Sequence, residues 1–269
     1  MKKYLFLSIC TVWFAISVSA QENNDHKEAV TVKDSTAADE PNTVFHDGAS
    51  YNFIFTWKKH HSDKKHRPVD AHWSGLGFAF SDLNGLNNEN VVLNYGNSYS
   101  LLLNVVDFSV PLNHHWLIAT GWGFDWTRFH FKGNKGLQNC DDGITRFVPD
   151  VENRAYKDSK LHVYYATIPL IFEYQAKISR HNVFFIQGGV EGLIKLYSRS
   201  QVEVQTQDGV RKIKYKGINL LPLNFRMVMR IGIAPFNIFG YYQPFSMFKK
   251  GEGPEINSFG MGIAVAMGS

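Results

Sequence analysis

Six ionisable side chains lie in stretches that otherwise alternate large apolar residues with small ones: Asp125, Glu173, Glu191, Lys195, Arg226 and Arg230. Carboxylates and cations that share one face of extended chain can do two things. They can pair and hold an interior together, because a buried charge is tolerated only when an opposite charge and hydrogen bonds meet it. They can also line a polar path for a small solute. His130 and His162, with Asp125, Ser159 and Ser198 at comparable heights, are the residues that could supply a base and a nucleophile. The two histidines fall on the opposite, apolar phase, and the chain contains no G-x-S-x-G or H-E-x-x-H. His60, His61, His66 and His72 could hold a soft divalent metal, but no carboxylate or cysteine joins them at ligand spacing. Cys140 stands beside Asp141 and Asp142, whereas a catalytic thiol would want an electropositive neighbourhood. No catalytic residue, metal or cofactor is therefore expected.

The elements that must position the six charges read as strands. In Ser74 to Phe80, Leu76, Phe78 and Phe80 oppose Gly75, Gly77 and Ala79. In Trp116 to Trp126, Ile118, Trp122, Phe124 and Trp126 oppose Ala119, Gly121, Gly123 and Asp125. Phe184 to Leu196 sets Ile186, Val190, Ile194 and Leu196 against Gln187, Gly189, Glu191 and Lys195. Leu221 to Arg230 sets Leu223, Phe225, Met227 and Met229 against Asn224, Arg226 and Arg230. Phe259 to Met267 sets Met261, Ile263 and Val265 against Gly260, Gly262, Ala264 and Ala266. Successive side chains of a strand point to opposite faces. One face is thus large and apolar, the other small or charged.

A soluble sandwich would bury the apolar face and wet a polar one, and Gly and Ala would seldom make that outer face. A narrow membrane barrel inverts the arrangement, with apolar side chains toward lipid and small or charged ones in a cramped interior. Segments near 71–81, 97–110, 115–131, 160–177, 182–200, 212–231, 236–248 and 256–268 predict eight strands. Long connections near 82–96, 132–159 and 201–211 alternate with short ones at 111–114, 177–182 and 234–237, and a compact hairpin lies at 249–253. Short turns on one side and long loops on the other are the habit of such barrels. The expected fold is all-β: an eight-stranded antiparallel transmembrane β-barrel, an up-and-down meander over 70–269. Pro169, Pro222 and Pro244 fall inside the expected strands, where a missing N–H breaks a ladder. A bulge, a shifted strand end or a wrong strand assignment would each absorb them.

The N-terminal part reads differently. Lys2 and Lys3, the apolar run Tyr4 to Val18 and the small residues to Ala20 have the form of a signal peptide over 1–20. Its apolar run is shorter than the about 20 residues a spanning helix needs. Cys10 would leave with it, so no intramolecular disulfide is expected. Residues 21–69 read as a flexible periplasmic segment, polar and acidic to about residue 50. Tyr51 to Trp57 could add a short strand or a plug. The basic, His-rich run over 58–67 reads as a solvated segment, with docking on anionic headgroups as the other use of such charge. A formal charge of +4, part of it in the leader, is too near neutral for a nucleic-acid binder. Trp122, Trp126, Tyr164, Tyr174, Tyr241 and Phe245 read as lipid-facing or girdle aromatics, and Tyr165 as inward.

His72-Trp73-Ser74-Gly75-Leu76-Gly77-Phe78, Leu93-Asn94-Tyr95-Gly96-Asn97-Ser98 and Thr120-Gly121-Trp122-Gly123-Phe124-Asp125-Trp126 resemble segments of the PorT-like outer-membrane β-barrel proteins of Gram-negative bacteria. The resemblance continues in Thr167-Ile168-Pro169-Leu170 and Gly240-Tyr241-Tyr242-Gln243-Pro244-Phe245-Ser246-Met247-Phe248, and spans most of 70–269. The final Met267-Gly268-Ser269 departs from the aromatic ending common among barrel substrates of the insertion machinery. The resemblance implies a cell outer membrane location in a functionally mixed family, some of whose members are tied to protein secretion. The expected protein is a monomeric, non-enzymatic barrel of structural or interaction type, its interior closed by small and charge-paired side chains. Its expected partners are outer-membrane lipids and an envelope or secretion-system protein. A narrow small-solute pore and a lipid-modifying outer-membrane enzyme are the alternatives.

Overall fold

Apolar and small residues alternate over most of the chain beyond residue 74, and in the computed structural model those stretches are strands. The structure describes residues 50–53, 70–89, 91–149, 156–179, 182–206 and 209–267. The leader at 1–20 and the basic run at 58–67 lie outside the described residues.

Thirteen strands occur in chain order: β1 Ser50–Phe53, β2 Gly75–Asn84, β3 Val92–Leu93, β4 Tyr99–Pro111, β5 Trp116–Lys132, β6 Gly136–Asn139, β7 Thr145–Val148, β8 Tyr156–Lys177, β9 Val183–Thr206, β10 Gly209–Tyr215, β11 Leu223–Ile233, β12 Phe236–Tyr242 and β13 Asn257–Ala266. Eight of them, β2, β4, β5, β8, β9, β11, β12 and β13, pair antiparallel in sequence order. The ring closes where β13 pairs β2, from Asn257↔Asn84 to Ala266↔Gly75. This is the expected up-and-down barrel. No α-helix occurs among the described residues; two single 3-10 turns, Leu86–Glu89 and Tyr95–Asn97, lie between β2 and β4.

The outward face is the apolar one. Met261, Leu223, Ile263, Met229 and Phe80 are all more than half exposed. An apolar belt running round every strand would be an aggregation surface in water and is solvated in hydrocarbon. The inward face carries Ala79, Ser81, Asp125, Glu191, Arg226 and Arg230, all buried.

The strand ends differ from the sequence expectation in four places. The segment expected near 71–81 begins only at Gly75, and residues 70–74 turn into the barrel. The expected long connection at 201–211 is strand: β9 runs to Thr206 and returns as β10 in a hairpin beyond the barrel rim. The strand expected over 212–231 is therefore two, with 216–222 irregular between them. The 132–159 connection contains a separate two-stranded sheet of β6 and β7. Ser50–Phe53, at the start of the segment read as a short strand or a plug, pairs with Ser109 to Val106 of β4, beyond the pair Gly75↔Asn104 at which β2 begins.

The prolines resolve in two ways. Pro222 precedes β11 and Pro244 follows β12, so both are shifted strand ends. Pro169 stays in β8, paired with Glu191 of β9. On its other side the ladder to β5 lapses between Thr120↔Leu170 and Gly123↔Thr167, where the missing N–H would have pointed. The Pro169 carbonyl instead accepts the Thr120 hydroxyl at 2.8 Å.

Candidate functional site: the barrel lumen

The lumen is filled in three layers. At the short-turn end, residues 70–74 fold inward and are sealed by side chains of the wall. Trp73 is 1% exposed. Its indole lies 3.7 Å from the Arg230 guanidinium carbon, a cation–π contact in a desolvated setting. The Asn104 side-chain amide donates to the Trp73 carbonyl at 3.2 Å, and the Ser74 N–H donates to Asp107 at 2.9 Å. His72 stacks on Phe185 with centroids 4.5 Å apart. Gly75 lets the chain turn from lumen to wall: its φ is +145°, and a Cβ there would stand 2.0 Å from the Val265 carbonyl oxygen.

Glu173 organises this layer. Its Oε1 meets His72 Nδ1 at 2.6 Å and accepts from Gln175 Nε2 at 2.6 Å. Its Oε2 accepts from Gln187 Nε2 at 2.6 Å and from the His72 backbone N–H at 3.1 Å. One carboxylate is thus held by a histidine, two amides and a backbone N–H.

The middle layer is an ion triad. Arg226 donates through Nε to Glu191 and through Nη1 to Asp125. Its guanidinium also lies over the Tyr241 ring, 4.6 Å from the centroid. The Tyr241 hydroxyl exchanges hydrogen bonds with Ser81 at 2.8 Å and Ser100 at 3.1 Å. Thr127 donates to Asp125 at 2.8 Å and meets Ser100 at 2.6 Å. Polar groups from β2, β4, β5, β9, β11 and β12 therefore meet in one network across the lumen.

The third layer, at the long-loop end, is apolar. Phe129, Phe131, Leu161, Val163 and Leu193 of the wall pack with Leu137 and Phe147 of the β6–β7 hairpin and with Leu86, Val91, Ile218, Leu220, Met247, Phe248 and Ile256 of the connections. In the hairpin turn, Arg146 donates to Asp142 at 2.5 Å and the Ile144 N–H donates at 3.0 Å. The Arg146 guanidinium first, and that N–H second, hold the Asp142 carboxyl below its ordinary value. Cys140 opens the same turn and is a free thiol.

Of the six charges read from the sequence, Asp125, Glu191 and Arg226 meet directly. Glu173 and Arg230 lie in the lumen one layer away, each held by residues 72–73. Lys195 does not join: it sits four residues beyond Glu191 on β9, opposite Tyr165, and its ammonium donates to the Leu220 carbonyl at 2.8 Å. Tyr165 points inward as expected. Tyr241, expected in the girdle, is a lumen residue, because it shares the inward face of β12 with Asn237 and Phe239. The sequence reading missed His72, Trp73, Gln175 and Gln187. Gln187 was placed on the inner face without a role, and the alternation of β8 would have placed Gln175 there too; nothing local marks residues 70–74 as a stopper. The candidate base and nucleophile separate: Ser159 faces in and is buried, while His130 and His162 face out. His130 Nε2 contacts Asp158, and His162 stacks on Trp126 with centroids 6.5 Å apart. Among the described residues no cluster of His, Cys, Asp or Glu is arranged to hold a metal.

Comparison with known proteins agrees with this architecture. No curated protein matches the sequence with significance. A solved structure of Ail, the attachment invasion locus protein of Yersinia pestis, aligns at 13% identity, covering 71% of this chain and 98% of that one with a TM-score of 0.31. A second, of Ail in complex with the heparin analogue sucrose octasulfate, aligns at 13% identity over 71% and 94% with a TM-score of 0.30. A likeness of this strength carries no functional argument. The family model described as outer membrane protein beta-barrel domain matches residues 42–248, most of the chain, so the protein belongs to that family and resides in the cell outer membrane.

Proposed function

We propose that this outer-membrane barrel is a closed, non-enzymatic protein of structural or interaction type, and not a conduit. The observation that carries the reading is the filling of the lumen at three successive heights. Residues 70–74 occupy one end, the Asp125–Arg226–Glu191 triad spans the middle, and an apolar cluster occupies the other end. A solute path would require all three to open, and the middle layer would leave charges unpaired on opening, at several kcal/mol. The parts that reach past the rim, the β9–β10 hairpin and the β6–β7 hairpin, are the surfaces on which an envelope or secretion-system partner would dock. The PorT-like resemblance is the finer family assignment we favour, and the leader at 1–20 supports export as a cleaved precursor. Purified full-length protein in a planar bilayer should give no steady conductance. A stable single-channel conductance would overturn the closed reading in favour of a narrow pore. Lipid modification is not favoured, since the candidate nucleophile Ser159 faces the lumen while His130 and His162 face out.

A further inference from the structure

Above the apolar belt, toward the long-loop end, the outer face of β4, β5, β8 and β9 changes composition within one pair of residues. The last belt row is Leu101, Trp126, Tyr164 and Tyr197, side by side in register. Its rings touch in series, with Trp126 and Tyr164 centroids 6.0 Å apart and Tyr164 and Tyr197 5.9 Å apart. The next row is Tyr99, Arg128, His162 and Arg199. The row beyond it contains His130, Lys160, Gln201 and Lys214, and the one after that Asp158, Glu203 and Lys212.

The carboxylates in this field are already engaged. Asp158 contacts Lys160 and His130, and Glu203 lies 3.4 Å from Lys212. Among the described residues no carboxylate lies within ion-pair distance of Arg128 or Arg199. Arg128 stands over the Tyr99 ring at 5.7 Å. The Nε atoms of both arginines and Nδ1 of the buried His162 between them are shielded from water and make no hydrogen bond to any described group. The two arginines are two strand spacings apart, about 10 Å. They present two forked donors at the level where hydrocarbon gives way to headgroups, since an aromatic row marks that level. Short turns face the periplasm in such barrels, so this rim is at the outer leaflet.

We propose that the Arg128–His162–Arg199 row is a binding site for the phosphorylated headgroup of an outer-leaflet glycolipid, with the acyl chains lying on the belt below Trp126 and Tyr164. The arginine forks match phosphate oxygens, and the apolar belt supplies the seat that a soluble anion would not use. The site rests on the outer face alone and does not depend on whether the lumen is closed. The test is the affinity of full-length protein in mild detergent for bisphosphorylated lipid A and for dephosphorylated lipid A, with Arg128→Gln/Arg199→Gln as the variant. The wild type should bind the bisphosphorylated lipid about thirtyfold more tightly than the variant does, from two cations near an anionic surface. Dephosphorylated lipid should bind the wild type as weakly as the bisphosphorylated lipid binds the variant. Millimolar inorganic phosphate should not displace the lipid. Equal wild-type affinity for the two lipids overturns the proposal, as does unchanged affinity in a variant that keeps its heat-dependent gel shift. Displacement by phosphate alone would reassign the site to a free anion. If the variant loses the gel shift, the wild-type comparison of the two lipids decides by itself.

Discussion

The two ends of the lumen are sealed by opposite chemistry. At the short-turn end, a polar stopper from outside the barrel sequence is held by Glu173, Asp107, Asn104 and Arg230 through directional bonds. At the long-loop end, connections fold over and pack chiefly Leu, Phe and Ile side chains, with Asn219 and Lys195 tying them at the edge. The polar seal depends on each partner being present, because a buried group left unpaired loses its full solvation. The apolar seal depends on volume, and its losses scale with the cavity made. One seal is therefore specific and brittle, the other tolerant and graded. Between them the Arg226 triad shares the brittle character and lies deepest.

The comparison can be broken most severely at its centre. Arg226→Ala leaves Asp125 and Glu191 buried without their cation, and should cost about 3–5 kcal/mol. The midpoint of the heat-dependent gel shift should fall accordingly; an unchanged midpoint would mean that water already reaches the triad. At the apolar end, Phe129→Ala should cost about 3–5 kcal/mol if the cluster is as close-packed as a protein interior, and less if the connections collapse onto the gap. At the polar end, Glu173→Gln keeps the shape but loses the charge that gathers four donors, and should cost about 1–3 kcal/mol. The sharper readout there is proteolytic cutting near residue 70, which should rise in this variant and stay constant in Phe129→Ala. The smallest effect lies in the β6–β7 turn. Arg146→Gln should let the Asp142 carboxyl rise toward its ordinary value in a carboxyl NMR titration. Because Asp142 is depressed when folded, its contribution is present above the unfolded carboxylate value and fades as pH falls through the folded one. Gel-shift midpoints of wild type and Arg146→Gln should therefore converge in acid and not at neutral pH.

The barrel itself was legible in the chain because a period of two survives through most of the wall strands. Leu76-Gly77-Phe78-Ala79-Phe80 or Met261-Gly262-Ile263-Ala264-Val265 states both faces at once. The six charges could be placed on one inner face for the same reason, but which of them pair was not legible. The phase was lost wherever one extra residue enters a ladder. The irregularity in β9 just after Lys195, beside Tyr165, brings Arg199 onto the outer face beside His162. No local composition marks such a shift, since it depends on which neighbour pairs with which.

Strand periodicity, the apolar belt and the charged inner face were thus set by the sequence alone, because each follows from the alternation of neighbouring residues. The closing of the lumen was decided only in three dimensions. Trp73 meets Arg230 across 157 residues of chain, His72 meets Glu173 across 101, and Asp125 meets Arg226 across 101. Contacts at such separations arise from the order and register in which eight strands close a ring, and that ring, once closed, gives residues 70–74 a cavity of their own shape to fill.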